Sequence, residues 1–280
     1  MTAQRSFIDI IKAHIDSGKM VLPVFNSAAL RVQQELSKKE PELRIIEKMI
    51  LCDQSLSSQI LKIANCTFYQ GLTEILTIRA AIVRLGTQEI SRITLLASAK
   101  SQFRSSSPLL NNVMKQLWQH SVGCALGANW LAKRCKLTDL TSHAFFAGLL
   151  HDIGKLFILL ILSDLKKKQK KLNINEALLQ DTMRSLHTEQ GYNLMQKWNM
   201  PEQYCIVARD HHLEFHDSNN MLLALVRLSN QVCRKLGIGT TMVEDEQPAS
   251  SPEATLLNLT EIDIAELEIL LEDTKVLASQ

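Results

Sequence analysis

The chain has 280 residues, 46% hydrophobic and 21% charged, which is ordinary for a soluble globular protein. Its 10 glycines and 6 prolines are about half the usual frequency of each, too few for the turns of a β-rich or doubly wound α/β protein of this length. The composition therefore favours an all-α fold. The net charge of +2 hides an asymmetry, since residues 241–280 carry −9 and residues 1–240 carry +11.

The cysteines and the apolar runs indicate the cellular compartment in which we expect to find the protein. Six cysteines show no Cys-x-x-Cys pairing, and we expect no signal peptide before them. Each lies in an apolar helical stretch, where a free cysteine packs as a small core residue, so we expect a reducing, cytoplasmic compartment. Uninterrupted apolar runs such as Leu156–Leu162 are far shorter than the roughly 20 residues that span a bilayer. We therefore expect no membrane association.

Apolar residues recur near every 3.6 positions along most of the chain, which predicts helices and no strand of any length. Asp53 and Thr77 are predicted N-caps, and Gly86 is predicted to end a helix. Residues 244–255 are typical of a linker. The predicted helices cover 5–17, 26–37, a segment opening at Pro41, 54–65, 78–86, 87–103, 110–135, an apolar stretch over 141–162 that is interrupted at 151–155, 175–198, 202–212, 220–236 and 260–277.

The stretch Ser105-Ser106-Ser107-Pro108 is the best internal boundary. It predicts an N-terminal helical subdomain over residues 1–107, a second helical subdomain over 108–240, and an acidic linker with a C-terminal helix over 241–280. Thr260 and Asp263 have the spacing of a capping box at the start of that last helix.

The strongest chemical signal is the adjacent pair His151-Asp152 inside an apolar segment. Burying both side chains costs several kcal/mol unless a metal ion, a salt bridge or a hydrogen-bond network compensates. Gly154 allows a close backbone approach, and Lys155 can neutralise Asp152 or a bound phosphate. Histidines and carboxylates from several helices are how helical bundles assemble metal sites for hydrolysis.

These residues resemble the HD superfamily of metal-dependent phosphohydrolases. The resemblance implies a divalent metal ion such as iron, zinc or nickel, and it implies that the later histidines build a second metal position in two-metal members. Lys155 would stabilise phosphate charge in a hydrolase of this kind. The positions that the resemblance assigns to the metal are His120, His151, Asp152, His187, His211 and Asn230.

The N-terminal half narrows the resemblance to the HDOD domain, an HD-related module of bacterial signalling proteins. The likeness covers roughly residues 15–238, with every segment in the family's order and spacing. The N-terminal segments that carry it are Leu22-Pro23, Ala28–Leu30, Ile50–Asp53, Ile60–Tyr69 and Ala80–Gly86.

Two departures from the family pattern bear on catalysis. Asn230 stands where the family has a closing aspartate, and divalent cations such as these bind a carboxylate far better than an amide. Gly191-Tyr192 is followed by Asn193 rather than proline, which argues against the related class that hydrolyses cyclic di-GMP. Loss of the closing aspartate is associated, in the resemblance, with HDOD modules that have no established catalytic activity.

The sequence thus favours a non-catalytic signalling module that acts through contacts with a signalling protein partner and retains a residual metal site. The alternative is a metal-dependent phosphohydrolase acting on a nucleotide or cyclic nucleotide. A nucleic-acid role is disfavoured, because the lysine run at 166–171 has no interleaved aromatic residues and we expect it to be a solvated loop. The partner's identity and the formation of a homo-oligomer are left open.

Overall fold

The computed structural model describes residues 8, 11–13, 32, 35, 40–65, 73–100, 102–168, 174–214, 219–240 and 242–279. Over these residues the chain is helical and has no β-strand, which confirms the predicted all-α fold. The predicted helices over 5–17 and 26–37 lie largely outside the described residues. The helices are α1 (Leu43–Leu51), α2 (Gln54–Ala64), α3 (Ile78–Lys100), α4 (Pro108–Arg134), α5 (Thr141–Leu150), α6 (Ile153–Lys168), α7 (Glu176–Lys197), α8 (Glu202–Asp210), α9 (Met221–Lys235), α10 (Pro252–Leu256) and α11 (Glu261–Ser279).

The described residues divide into two compact units. The first contains those of Met1–Pro23 and Arg104–Glu268, and the second contains those of Val24–Phe103 and Ile269–Gln280. All of the candidate site residues belong to the first unit. In the second unit, α1, α2 and α3 share a core of buried apolar side chains, among them Ile46, Ile50, Leu56, Ile60, Ile75, Ile90 and Ile93.

Local capping sets the helix ends of the second unit where the sequence predicts. The Asp53 carboxylate accepts a hydrogen bond of 2.9 Å from the amide of Leu56, and the Thr77 hydroxyl accepts one of 3.0 Å from the amide of Ala80. Gly86 has a φ of 78°, a left-handed conformation that interrupts α3. The predicted break at this glycine is confirmed.

Close helix contacts in the first unit depend on two glycines. The helix α4 packs against α5 and α9, and α6 packs against α7. A Cβ atom at Gly148 would lie 2.6 Å from the backbone oxygen of Cys124, and one at Gly154 would lie 1.9 Å from the backbone oxygen of His187. Only a residue without a side chain lets these backbones meet, so the close approach predicted at Gly154 is confirmed.

The segment over 244–255 is folded, so its prediction as a linker was wrong. Pro248–Ser250 forms a 3-10 turn, and Pro252 begins α10, which is capped by Ser251. The carboxylate of Glu253, 2% exposed, accepts hydrogen bonds from Arg227 at 2.5 Å and from Gln231 at 3.0 Å. Proline and serine content indicates a linker only where no distant partner exists, and here a buried ion pair to α9 fixes the segment.

The lysine run also differs from its prediction as a loop. Lys166, Lys167 and Lys168 form the last turn of α6, where their positive charges interact favourably with the negative end of the helix dipole. The Lys166 ammonium donates to the Ser107 hydroxyl at 3.1 Å, and that of Lys168 donates to Asp164 at 2.7 Å. The rest of the run lies outside the described residues.

Among the described residues, one stretch, Thr138–Lys168, is long and apolar enough to cross a membrane by length and composition. In its most apolar window of 18 residues, 83% is buried inside the fold, as in the core helix of a folded domain. The same stretch contains the turn between α5 and α6, which places His151 and Asp152 in the interior.

Candidate metal centre

Asp152 is the centre of the site. The helices α5 and α6 are joined only by His151 and Asp152, which are 1% and 2% exposed. Apolar residues on both sides of this connection pull it into the interior of the first unit. A carboxylate buried to this extent needs compensating charge or hydrogen bonds, because desolvation penalises the anion.

Four imidazoles surround the Asp152 carboxylate. Its Oδ2 lies 3.5 Å from Nε2 of His120 and 3.4 Å from Nε2 of His151. Its Oδ1 lies 3.6 Å from Nε2 of His187 and 3.4 Å from Nε2 of His211. These rings come from α4, the α5–α6 connection, α7 and the end of α8. The fold therefore brings five of the six predicted metal positions together around one carboxylate.

Backbone carbonyls orient each of the four rings. The Nδ1 atoms of His120, His151, His187 and His211 lie 2.9, 2.7, 2.7 and 3.0 Å from the carbonyl oxygens of Ile238, Gly148, Met183 and Ala208. A carbonyl can only accept, so each neutral ring keeps its proton on Nδ1 and presents the lone pair of Nε2. All four lone pairs thus face the carboxylate.

Electrostatics keep the rings of His120, His151 and His187 neutral and the carboxylate ionised. Burial lowers the pKa of His120, lowers that of His151 well below its usual range, and lowers that of His187 to about 4. Burial alone would raise the pKa of Asp152, but the positive charge of Lys155, whose ammonium lies 2.7 Å from Oδ2, is the main influence that holds that pKa well below its usual range. Neutral imidazole and ionised carboxylate are the forms that bind metal ions.

The arrangement fits a divalent cation. Buried Nε2 atoms of His151, His187 and His211 and the Oδ1 atom of Asp152 have no hydrogen-bond partner, which is costly unless a cation lies among them. Each of these Nε2 atoms lies 3.4–3.6 Å from one of the two Asp152 carboxylate oxygens, which is close to the roughly 3.4 Å expected between nitrogen and oxygen ligands of one tetrahedral ion. Two groups of ligand atoms share Asp152, namely His120 with His151, and His187 with His211 and His212.

A cavity of about 350 Å³ opens beside the histidines. The Lys155 ammonium donates to Oδ2 of Asp152 at 2.7 Å, and it lines the cavity together with Arg184 and Arg234. Asn230, the sixth predicted position, is 4% exposed and lines the same cavity. The wall therefore presents positive charge and a neutral amide next to the centre.

The sequence of this chain matches a known protein family over most of its length. The family model of the HDOD domain matches residues 22–214, which is more than half of the chain. The chain belongs to the HDOD family. A Treponema pallidum protein, uncharacterized, is 26% identical over 222 residues, covering 77% of this chain. The present HDOD chain spans 42% of the length of that relative.

Solved structures share the HDOD fold. An HDOD domain protein of unknown function from Geobacter sulfurreducens superimposes with a TM-score of 0.77 at 19% identity, covering 97% of each chain. A candidate metal-dependent phosphohydrolase from Shewanella amazonensis has a TM-score of 0.72 at 17% identity, again covering 97% of each chain. A candidate signal transduction protein from Marinobacter aquaeolei has a TM-score of 0.65 at 18% identity, covering 99% of this chain and 61% of that one. At these identities the likeness establishes the fold.

Sequence reasoning gave no metal position to four residues that the HDOD fold places at the centre or its cavity. His212 is exposed, and its ring centroid lies 4.1 Å from that of His211. Cys124 lies 3.6 Å from His120, and Arg184 and Arg234 line the cavity. Helical spacing could have found three of them, because each lies three or four positions from a predicted site residue on the same helix.

Proposed function

We propose that this HDOD domain is a non-catalytic signal-transduction module that acts through contacts with a signalling protein partner in the bacterial cytoplasm. In this proposal a divalent metal ion is held by His120, His151, Asp152, His187 and His211. The observation that carries it is Asn230, a buried neutral amide that lines the cavity beside the centre, at the position where the family resemblance implies a closing aspartate. The five cysteines among the described residues are free thiols, which supports a reducing compartment.

The metal has a structural role in this proposal. Unpartnered Nε2 lone pairs from α7, α8 and the α5–α6 connection would be satisfied together by one or two ions, which would tie these elements to α4. A partner surface formed by these helices would then depend on metal occupancy. A divalent ion also supplies Lewis-acid chemistry when bound.

The second candidate function is hydrolysis of a nucleotide or cyclic nucleotide, and the cavity favours it. A volume of about 350 Å³ lies within the range of small-molecule sites. Lys155, Arg184 and Arg234 would bind phosphate oxygens in it, and Lys155 also touches Asp152. In this function, those three cations would orient the phosphate and offset its developing charge.

Metal content and hydrolysis measured on the same preparations test both functions. The wild-type chain, purified without a histidine tag, is expected to hold metal by elemental analysis and to leave phosphodiesters and nucleotides uncleaved. His151→Ala is expected to lose the metal bound at the Asp152 centre, because this ring lies 3.4 Å from Asp152. His143→Ala, on the adjacent helix α5 and outside the centre, is the matched control and is expected to retain it.

Two results would contradict the main proposal. Hydrolysis by the wild type that disappears in His151→Ala and persists in His143→Ala would establish the second function instead. Absence of metal from every variant, after exposure to iron, zinc and nickel salts, would remove the metal from either function.

A further inference from the structure

A second group of ligand atoms includes His120 together with two cysteines. Nε2 of His120 is 3.6 Å from the Cys124 sulfur, and the Cys233 sulfur belongs to the same group of ligand atoms. The three ligand atoms lie within 4.8 Å of one another. Their residues are 6%, 0% and 0% exposed. We call His120, Cys124 and Cys233 the thiol cluster.

Helix geometry and one glycine create the thiol cluster. Cys124 follows His120 by one turn of α4, so both side chains lie on the same face. Cys233 comes from α9, which packs against α4. A Cβ atom at Gly123 would lie only 3.0 Å from the Cys233 sulfur, so the absence of a side chain there leaves room for this thiol.

We propose that the thiol cluster is a binding site for a thiophilic divalent ion, with Zn²⁺ as the reference case. A tetrahedral zinc ion bonds nitrogen at about 2.0–2.1 Å and sulfur at about 2.3 Å, which sets these ligand atoms roughly 3.6 Å apart. The His120–Cys124 separation has this value. Sulfur ligands favour soft ions, unlike the imidazole and carboxylate groups around Asp152.

Charge balance supports this site in a buried position. Binding releases the two thiol protons to solvent, and two thiolates with one neutral imidazole then balance a divalent cation. The proton of His120 remains on Nδ1, which donates to the carbonyl of Ile238, so the ring can give its Nε2 lone pair to the ion. No net charge is added to the interior.

His120 connects the thiol cluster to the Asp152 centre. The same Nε2 atom lies 3.5 Å from Oδ2 of Asp152 and 3.6 Å from the Cys124 sulfur. One lone pair can bond one ion, so an ion in the thiol cluster takes His120 away from Asp152. The inference is independent of metal binding by the other three histidines.

Cobalt spectroscopy of the full chain tests the inference. We expect one equivalent of Co²⁺ added to the metal-free protein to produce a near-ultraviolet thiolate-to-cobalt charge-transfer band. Cys124→Ser and Cys233→Ser are each expected to abolish that band. The matched control is Cys205→Ser, a buried cysteine whose thiol points to the carbonyl of Met200 and which is expected to keep it.

The controls separate this inference from the function proposed above. His151→Ala disrupts the Asp152 centre and is expected to leave the charge-transfer band intact. Cobalt bound to wild-type protein without the band, no cobalt bound at all, or a band that survives in Cys124→Ser would overturn the inference. If the serine variants fail to fold by circular dichroism, zinc X-ray absorption of the wild type decides. Sulfur scattering at about 2.3 Å supports the site, and only nitrogen and oxygen neighbours refute it.

Discussion

The stability of the metal-free protein is expected to fall steeply as the pH decreases below neutrality. The size of this loss can be calculated for His187. Its ring is 3% exposed, and burial lowers its pKa from 6.5 to about 4. At pH 7 the ring is neutral in both the folded and the unfolded chain. Between the two pKa values the unfolded chain binds a proton that the folded chain does not.

This difference in proton binding fixes the sign and the size of the effect. The contribution of His187 to stability is complete above pH 6.5 and is lost as the pH falls towards 4, where the folded ring also becomes protonated. The interval between 6.5 and about 4 corresponds to roughly 3 kcal/mol at 1.36 kcal/mol per pKa unit. His120 and His151 also have a lowered pKa and add losses of the same sign.

Urea unfolding of chelator-treated protein, followed by tryptophan fluorescence, measures this loss. The three tryptophans, Trp118, Trp130 and Trp198, all lie in the first unit, so the signal reports the unit that contains the site. Replacing His187 with Gln is expected to reduce the stability difference between about pH 7 and pH 4.5 by roughly 2–3 kcal/mol. His143→Gln is the matched control, since His143 lies outside the centre and pairs with the Tyr204 hydroxyl at 2.6 Å. Equal pH dependence in wild type and His187→Gln would refute the reasoning.

Two further predictions concern stability alone. Gly154→Ala is expected to destabilise the first unit by about 1–3 kcal/mol, because the added Cβ would lie 1.9 Å from a carbonyl of α7. Gly191→Ala is the comparison, since the nearest contact of its added Cβ is 3.4 Å, and its free energy of unfolding in urea is expected to rise by up to about 1 kcal/mol. Equal effects of the two substitutions would contradict the packing argument. Asp263→Ala is expected to cost about 1 kcal/mol, because its carboxylate accepts a hydrogen bond of 2.7 Å from the Thr260 amide at the start of α11, and exposed Glu266→Ala serves as the comparison in the same assay.

The sequence alone predicts several of the described helix ends, because their determinants act within a few residues. Asp53 and Asp263 contact amides three positions away, as their spacing predicts. Gly86 interrupts α3 through its own backbone conformation. The pair His151-Asp152 signals a buried polar site by its apolar neighbours alone. Family membership is confirmed by the match over residues 22–214.

The tertiary structure decides which polar groups meet and in which form. His120 is oriented by the carbonyl of Ile238, 118 positions later in the chain, and this contact turns its Nε2 towards Asp152 and Cys124. Glu253 fixes a proline-rich segment only because Arg227 lies opposite it in the fold. Cys124 and Cys233 become neighbours only because α4 and α9 pack together. Local spacing carries no information on such contacts, since their geometry and desolvation arise only when distant helices enclose the same space.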